Sequence, residues 1–338
     1  MAYLAEILLE PQPTPYWRML RQIGVDHAVG VLPRGLGDWR GDPVDLPWDL
    51  APLSVYKANV EAEGFSLDVI EDNPPMDRLR LGKPGREEEL EHFETLVRNL
   101  GRLGIPCLCY NWAAALGWLR TDVAVRGRAG ALVAGYDHRR LQDAPPPRTG
   151  TATEEALWDN LRFFLERIVP VAEEAGVTLA MHPDDPPLSP IRGVPRIMRS
   201  VDAFQRLLEL HPSPANAITF CQGNFALMTD DLPAAITQFG EQGRIAFVHF
   251  RDVAGTAERF VETFHDEGPT DMFACIRAYR SAAFEGPLRT DHNPTLEGDR
   301  ADVPGYSPLG RLHAIGYTQG LLEADRRASE QKPVSREP

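Results

Sequence analysis

Short apolar runs alternate with longer stretches of helical periodicity from one end of this 338-residue chain to the other. AEILLE at 5–10, DHAVGVLP at 26–33, FSLDVIED at 65–72 and IPCLCYNW at 105–112 are too short for helices and rich in aliphatic residues, so they read as strands. Between them, YWRMLRQIG with Gly24 as its stop, LAPLSVYKANVEAEG at 50–64 and residues 87–103 carry apolar positions at helical spacing, the last on an acidic-to-basic gradient that suits the helix dipole. A helix near 153–175 ends at Gly176, and four more strand-like runs follow: VTLAM, AITF, RIAFV and PLRT. Eight strands alternating with helices predict an α/β fold with a parallel sheet, here a (β/α)8 TIM barrel in a single catalytic domain over 1–326. The helix GRLHAIGYTQGLLEAD closes it, and 327–338 reads as a polar, disordered C-terminal tail. A Gly-, Ala- and Arg-containing segment at 113–150 interrupts the repeat and reads as a long inserted loop, a lid or an interface.

Composition narrows the class. No apolar stretch approaches the roughly 18 residues of a membrane span, and the N-terminal residues lack a basic start and a cleavage site, so a cytoplasmic protein with no membrane partner is expected. A formal net charge of −14, with no basic run, argues against nucleic acid as a partner. Acidic barrels with long insertions often self-associate, and a homo-oligomer is expected. Cys107, Cys109, Cys221 and Cys275 form no CxxC pair and no disulfide framework. Cys107 and Cys109 read as small hydrophobes of a buried strand.

Cys221 differs because of where it stands. The last four strands run into His182, Cys221, His249 and Asp291, at spacings of 39, 28 and 42 residues. A strand, loop, helix and return loop of a barrel take roughly 30 residues, so each step is about one repeat plus a variable loop. Parallel barrels gather such strand ends on one pocket. Two neutral imidazoles, a thiolate and a carboxylate would neutralise a divalent cation, and donor softness alone points to zinc or ferrous iron. Asp184 and Asp185 lie just beyond His182, and Arg251 in VHFRD could hold a carboxylate bidentately. His292 directly follows Asp291, and Tyr306 in PGYSPLGRL could hang over the same mouth.

These residues and their neighbours carry a resemblance to mannonate dehydratase of the metal-dependent, xylose-isomerase-like barrel type. The matching segments are VIEDNPP at 69–75, LCYNWAAALGWLRTD at 108–122, LAMHPDDPP at 179–187, FCQGNF at 220–225, VHFRDV at 248–253, FVETFHDEGPTDM at 260–272, RTDHNPT at 289–295 and PGYSPLGRLHAIGY at 304–317. LAMHPDDPP and FHDEGPTDM in this order are the most specific pair. The resemblance implies loss of water from D-mannonate to give 2-keto-3-deoxy-D-gluconate, with His182, Cys221, His249 and Asp291 as metal ligands and His292 and Tyr306 as catalytic residues. It implies manganese, with iron, cobalt or magnesium as alternatives, against the zinc that softness suggests. Arg251, Asp184 and Asn111 are the substrate-binding candidates, for a small sugar acid. Two segments depart from the family pattern: Ala113, Ala114, Ala115 and Gly117 precede Trp118 where a bulkier, acidic stretch is usual, and Asn293 and Pro294 follow His292 where Gly is usual. The competing readings are a related sugar-acid dehydratase, a metal-dependent sugar isomerase or epimerase on the same barrel, and a ligand-binding barrel without activity.

Overall fold

Eight parallel strands close into a barrel in the computed structural model, which describes residues 2–34, 45–300 and 303–330. They are β1 (Tyr3–Leu8), β2 (His27–Gly30), β3 (Ser66–Glu71), β4 (Cys107–Asn111), β7 (Thr178–His182), β8 (Asn216–Cys221), β9 (Ile245–Phe250) and β12 (Pro287–Thr290). Sequence order is kept around the ring, and β1 pairs with β12 to complete it. The eight runs read as strands are the eight of the barrel. The first begins at Tyr3 rather than Ala5, because Tyr3 and Leu4 pair with Pro287 and Leu288.

Side chains alternate across each strand. Ala5, Ile7, Val29, Val69, Cys107, Cys109, Ala180 and Phe247 fill the interior of the barrel with small and medium groups. The outward positions pack against helices α1 (Pro15–Gln22), α2 (Leu50–Ala62), α4 (Arg86–Leu103), α5 (Glu154–Ala175), α6 (Val201–Leu210), α8 (Leu232–Glu241), α9 (Met272–Ser281) and α10 (Pro308–Glu330), with Trp17, Phe93, Phe164 and Phe204 fully buried between the layers. Two short turns of helix lie beyond strand ends: α3 (Asp77–Arg80) after a short loop from β3, and α7 (Gln222–Ala226) directly after β8. Local signals set the helix ends: Thr153 Oγ1 accepts from the Ala156 amide at 3.2 Å to start α5, and Gly176 at φ 67° stops it.

The inserted segment is not a plain loop. It contains β5 (Asp122–Arg126) and β6 (Leu132–Asp137), an antiparallel hairpin whose β6 edge pairs with a second hairpin, β10 (Val253–Thr256) and β11 (Arg259–Glu262). The four strands run in the order β10-β11-β6-β5. Tyr136, Ile191, Val253 and Phe260 form a small core under this sheet. The alternation in DVAVR and LVAGYD is short and weakly apolar, and the partner hairpin lies more than a hundred residues downstream, so no local pattern marks it. Leu132 exchanges two backbone hydrogen bonds with Thr295, at 3.0 and 2.8 Å, which ties the sheet to the loop after β12. At the other end of the chain, α10 continues to Glu330, so 327–330 are helical rather than part of a tail; 331–338 lie outside the described residues.

Candidate active site

The barrel's pairing register brings the strand ends together. Cys221 stands beside His249, Arg289 beside His249, and Asn111 beside His182 on adjacent strands. Ligand atoms of His182, Cys221 and His249 all lie within 4.8 Å of one another. His182 Nδ1 donates to the Pro183 carbonyl at 2.7 Å, so its Nε2 carries a lone pair, and that atom faces His249 Nδ1 at 3.2 Å. Burial pushes the His182 imidazole below its ordinary range, which keeps it neutral although Glu71, Asp185 and Asp291 pull the other way. Asp291, the first residue after β12, stands at the rim of this trio with Oδ2 3.6 Å from His249 Nδ1. Burial disfavours its charge, but Arg289, His292, His249 and Arg251 together hold the carboxyl well below the usual range.

The donor set suits a divalent cation. Two imidazole nitrogens that each present a lone pair do not stabilise one another at 3.2 Å unless one carries a proton or a cation lies between them. His249 Nε2 is buried with no hydrogen-bond partner among the described residues, 3.3 Å from Glu71 Oε2. Coordination through Nδ1 would place a proton on Nε2, facing that carboxylate, as metal-binding histidines commonly do. Glu71, Cys109 and His249 form a second close group, but Arg289 takes both Glu71 oxygens at 2.7 Å, which makes Glu71 an orienting partner rather than a ligand.

Beside the trio opens a cavity of about 400 Å³ lined by Asn111, Trp118, His182, His249, Asp291, His292 and Tyr306, among others. Asn111 Oδ1 accepts from Arg80 at 3.1 Å and from the Ala113 amide at 3.1 Å, leaving its Nδ2 for a ligand. The Tyr306 hydroxyl donates to Asp291 Oδ1 at 2.9 Å; burial and that carboxylate hold the phenol well above its ordinary range and therefore protonated. His292 Nδ1 is 3.0 Å from Glu262 Oε1 and 3.4 Å from Arg120 Nη2. The shorter contact, to an acceptor that cannot donate, places the proton on Nδ1 and leaves the Nε2 lone pair free. Glu262 is ionised: burial raises it, but Arg251 and Arg120 bring it down to about 2.

Two of the substrate-binding candidates stand elsewhere. Neither Arg251 nor Asp184 lines the cavity. The Arg251 fork is taken up by Asp185 at 3.0 Å, Glu262 at 2.9 Å and Asn224, behind the trio. Asp184 Oδ2 accepts from the Met198 amide at 2.8 Å and braces the loop after β7, while its neighbour Asp185 reaches the cavity wall. Glu71, Arg120, Glu262 and Arg289 escape a reading of strand-end donors. Glu71 could have been found, since it closes β3; Arg120, just before β5, and Glu262, at the end of β11, stand with the four-stranded sheet, which gives no such signal.

The D-mannonate dehydratase (UxuA) family model matches residues 18–152 and 148–332. The chain is 34% identical to the mannonate dehydratase of Thermotoga petrophila over 93% of its own length and 95% of that protein's. It is 35% identical to the mannonate dehydratase of Enterococcus faecalis, with the same shares covered. The solved mannonate dehydratase of Streptococcus suis serotype 2 superposes with a TM-score of 0.88 at 32% identity, covering 98% of this chain and 95% of that one. L-ribulose 3-epimerase superposes at 0.63 with 16% identity, a likeness of fold alone. By sequence, by length and by structure, the chain belongs to the D-mannonate dehydratase family.

Proposed function

We propose that this chain is a hydro-lyase that converts D-mannonate to 2-keto-3-deoxy-D-gluconate and water, with His182, Cys221, His249 and Asp291 holding a divalent cation, manganese by the family's preference. The observation that carries the reading is the convergence of these four strand ends at a cavity lined by His182, His249, Asp291, His292 and Tyr306, with Cys221 grouped beside the two histidines, in a chain that matches the family over nearly its whole length. A bound cation supplies Lewis acidity to the substrate's carboxylate end, where charge develops as the C2 proton leaves. His292 takes that proton on Nε2, because Glu262 accepts from Nδ1 and fixes the tautomer. Tyr306 delivers a proton to the departing C3 hydroxyl; its raised pKa keeps it a phenol until the leaving group demands the proton. Asn111 Nδ2 donates to a substrate hydroxyl. The enol left by loss of water tautomerises to the 2-keto acid.

The test uses metal-free protein supplied separately with Mn²⁺, Co²⁺, Fe²⁺ and Mg²⁺, a panel of hexonates, and a thiobarbituric-acid readout of 2-keto-3-deoxy product. H292N and Y306F are each expected to lose about 10²-fold or more in turnover. In deuterated water Y306F still exchanges the C2 hydrogen, whereas H292N does not, which separates base from acid. Turnover within a few-fold of the parent in both variants sinks the assignment of roles; isomerised sugar without keto-deoxy acid sinks the reaction itself.

A further inference from the structure

A thiolate in the ligand set favours a soft cation such as zinc, whereas the family reading calls for manganese. The surroundings of Cys221 bear on that conflict. Its Sγ lies 3.3 Å from Arg251 Nε, and the same nitrogen is 3.1 Å from Asp291 Oδ2, so one guanidinium faces two of the four proposed ligands. That side chain is 2% exposed and clamped by Asp185, Glu262 and Asn224. It is also walled in: a Cβ on Gly223 would come within 2.7 Å of Arg251 Cζ and 3.1 Å of its Nε. The other polar group on the sulfur is Asn224 Oδ1 at 2.9 Å, oriented by a 2.9 Å bond from Asn224 Nδ2 to the Asp184 carbonyl. That oxygen accepts from a thiol but repels a thiolate, which leaves Arg251 as the donor to the deprotonated sulfur.

We infer that Arg251 is a positioning residue that hardens the Cys221 thiolate by a fixed, buried hydrogen bond, lowering the site's preference for soft cations rather than binding the substrate carboxylate. A donor and a positive charge at the sulfur draw down its lone-pair energy, so it gives less electron density to any bound cation. Soft, polarising zinc loses more by this than manganese. Gly223 belongs to the same device, since only glycine leaves the guanidinium its place.

The inference rests on the proposed metal site, and cobalt tests the two separately. Co²⁺ is added to metal-free parent, R251K and G223A protein, and the sulfur-to-cobalt charge-transfer absorption is recorded beside a Zn²⁺ against Mn²⁺ binding competition. R251K keeps the charge but loses the fork; G223A keeps every charged group and displaces the fork, so it stays informative if R251K does not fold. In the variants the band moves to lower energy and the zinc-to-manganese affinity ratio rises by about tenfold or more. A band unmoved in both variants, with the two metals weakened in equal proportion, makes Arg251 a structural brace and overturns the inference while the metal site stands. Absence of the band in the parent removes Cys221 as a ligand and overturns both.

Discussion

His292 sits at φ 43°, a left-handed backbone that side-chain-bearing residues seldom adopt, and a Cβ on Gly305 would come within 3.2 Å of its Cα. Its ring lies between Trp118 and Tyr306, both edge-on at 5.5 and 5.8 Å, so backbone and ring are held together. What its free nitrogen does then depends on Glu262. Glu262→Gln offers Nδ1 an amide that can donate as well as accept, and kcat is expected to fall by about 10² or more with KM little changed, through the wrong tautomer. Steady-state kinetics check this, and an unchanged kcat removes Glu262 from the mechanism. A second histidine acts on stability. His265 donates from Nε2 to the Phe250 carbonyl at 2.7 Å while Nδ1 is buried without a partner among the described residues, and burial brings the imidazole down from 6.5 to about 4. The unfolded chain therefore binds a proton that the folded one refuses, so stability is complete above pH 6.5 and falls as pH drops towards 4, by on the order of 3 kcal/mol. Urea unfolding of metal-free H265Q across this window is expected to show a shallower slope than the parent; equal slopes exonerate His265. Single residues were legible in the sequence where a strand end exposed them, as for His182 and Cys221. Arg251 was legible as a cation at a strand end, but its direction depends on Asp185, Glu262 and Asn224, three partners that no local pattern joins to it.

The four-stranded sheet decides where Glu262 and Arg120 stand. Glu262 is the last residue of β11, and Arg120 precedes β5 with its guanidinium 4.9 Å from the Phe260 ring centre and 5.0 Å from that of Trp118. Within β10, Gly255 pairs with Phe260 at φ 134°, and a Cβ there would come within 2.8 Å of Phe260 Cα. Gly255→Ala should therefore distort the hairpin without touching the barrel. Activity is expected to drop about tenfold or more while far-ultraviolet circular dichroism stays as in the parent, and full activity in a folded G255A protein shows that the hairpin does not set Glu262. Barrel strands announce themselves because burial on both faces requires continuous apolar runs, as in RIAFV and VTLAM. The hairpins are half exposed and short, and β5 carries Val123 on an open face, so their pattern merges with that of loops.

At the scale of the whole molecule, the two ends of the chain are joined in the layer between the barrel wall and its outer helices. Glu6 on β1 is fully buried and accepts from Arg311 of α10 at 2.7 Å and from the Thr290 hydroxyl of β12 at 2.6 Å. Arg311→Met strands that carboxylate in the interior, and a loss of about 3–5 kcal/mol is expected in chemical denaturation. A loss below 1 kcal/mol means that the ring closes without this pair. Repeat length and strand count made this architecture readable, whereas the Glu6 and Arg311 pairing, 305 residues apart, could not be read from either end alone. The position of the four strand ends proposed to hold a cation has a consequence in time. They lie on neighbouring strands, and they are also the last to be synthesised: 109 residues separate His182 from Asp291, and the ring shuts only when β12 reaches β1. At ribosomal speed that interval is roughly 5–20 s, during which His182 and then Cys221 emerge as an incomplete, uncalibrated chelate. Arg251 leaves the ribosome only 30 residues after Cys221, so the thiolate meets its guanidinium before the last ligand exists. If Arg251 hardens the sulfur as inferred, a nascent chain stalled between residues 221 and 251 should hold zinc more tightly, relative to manganese, than the completed protein does.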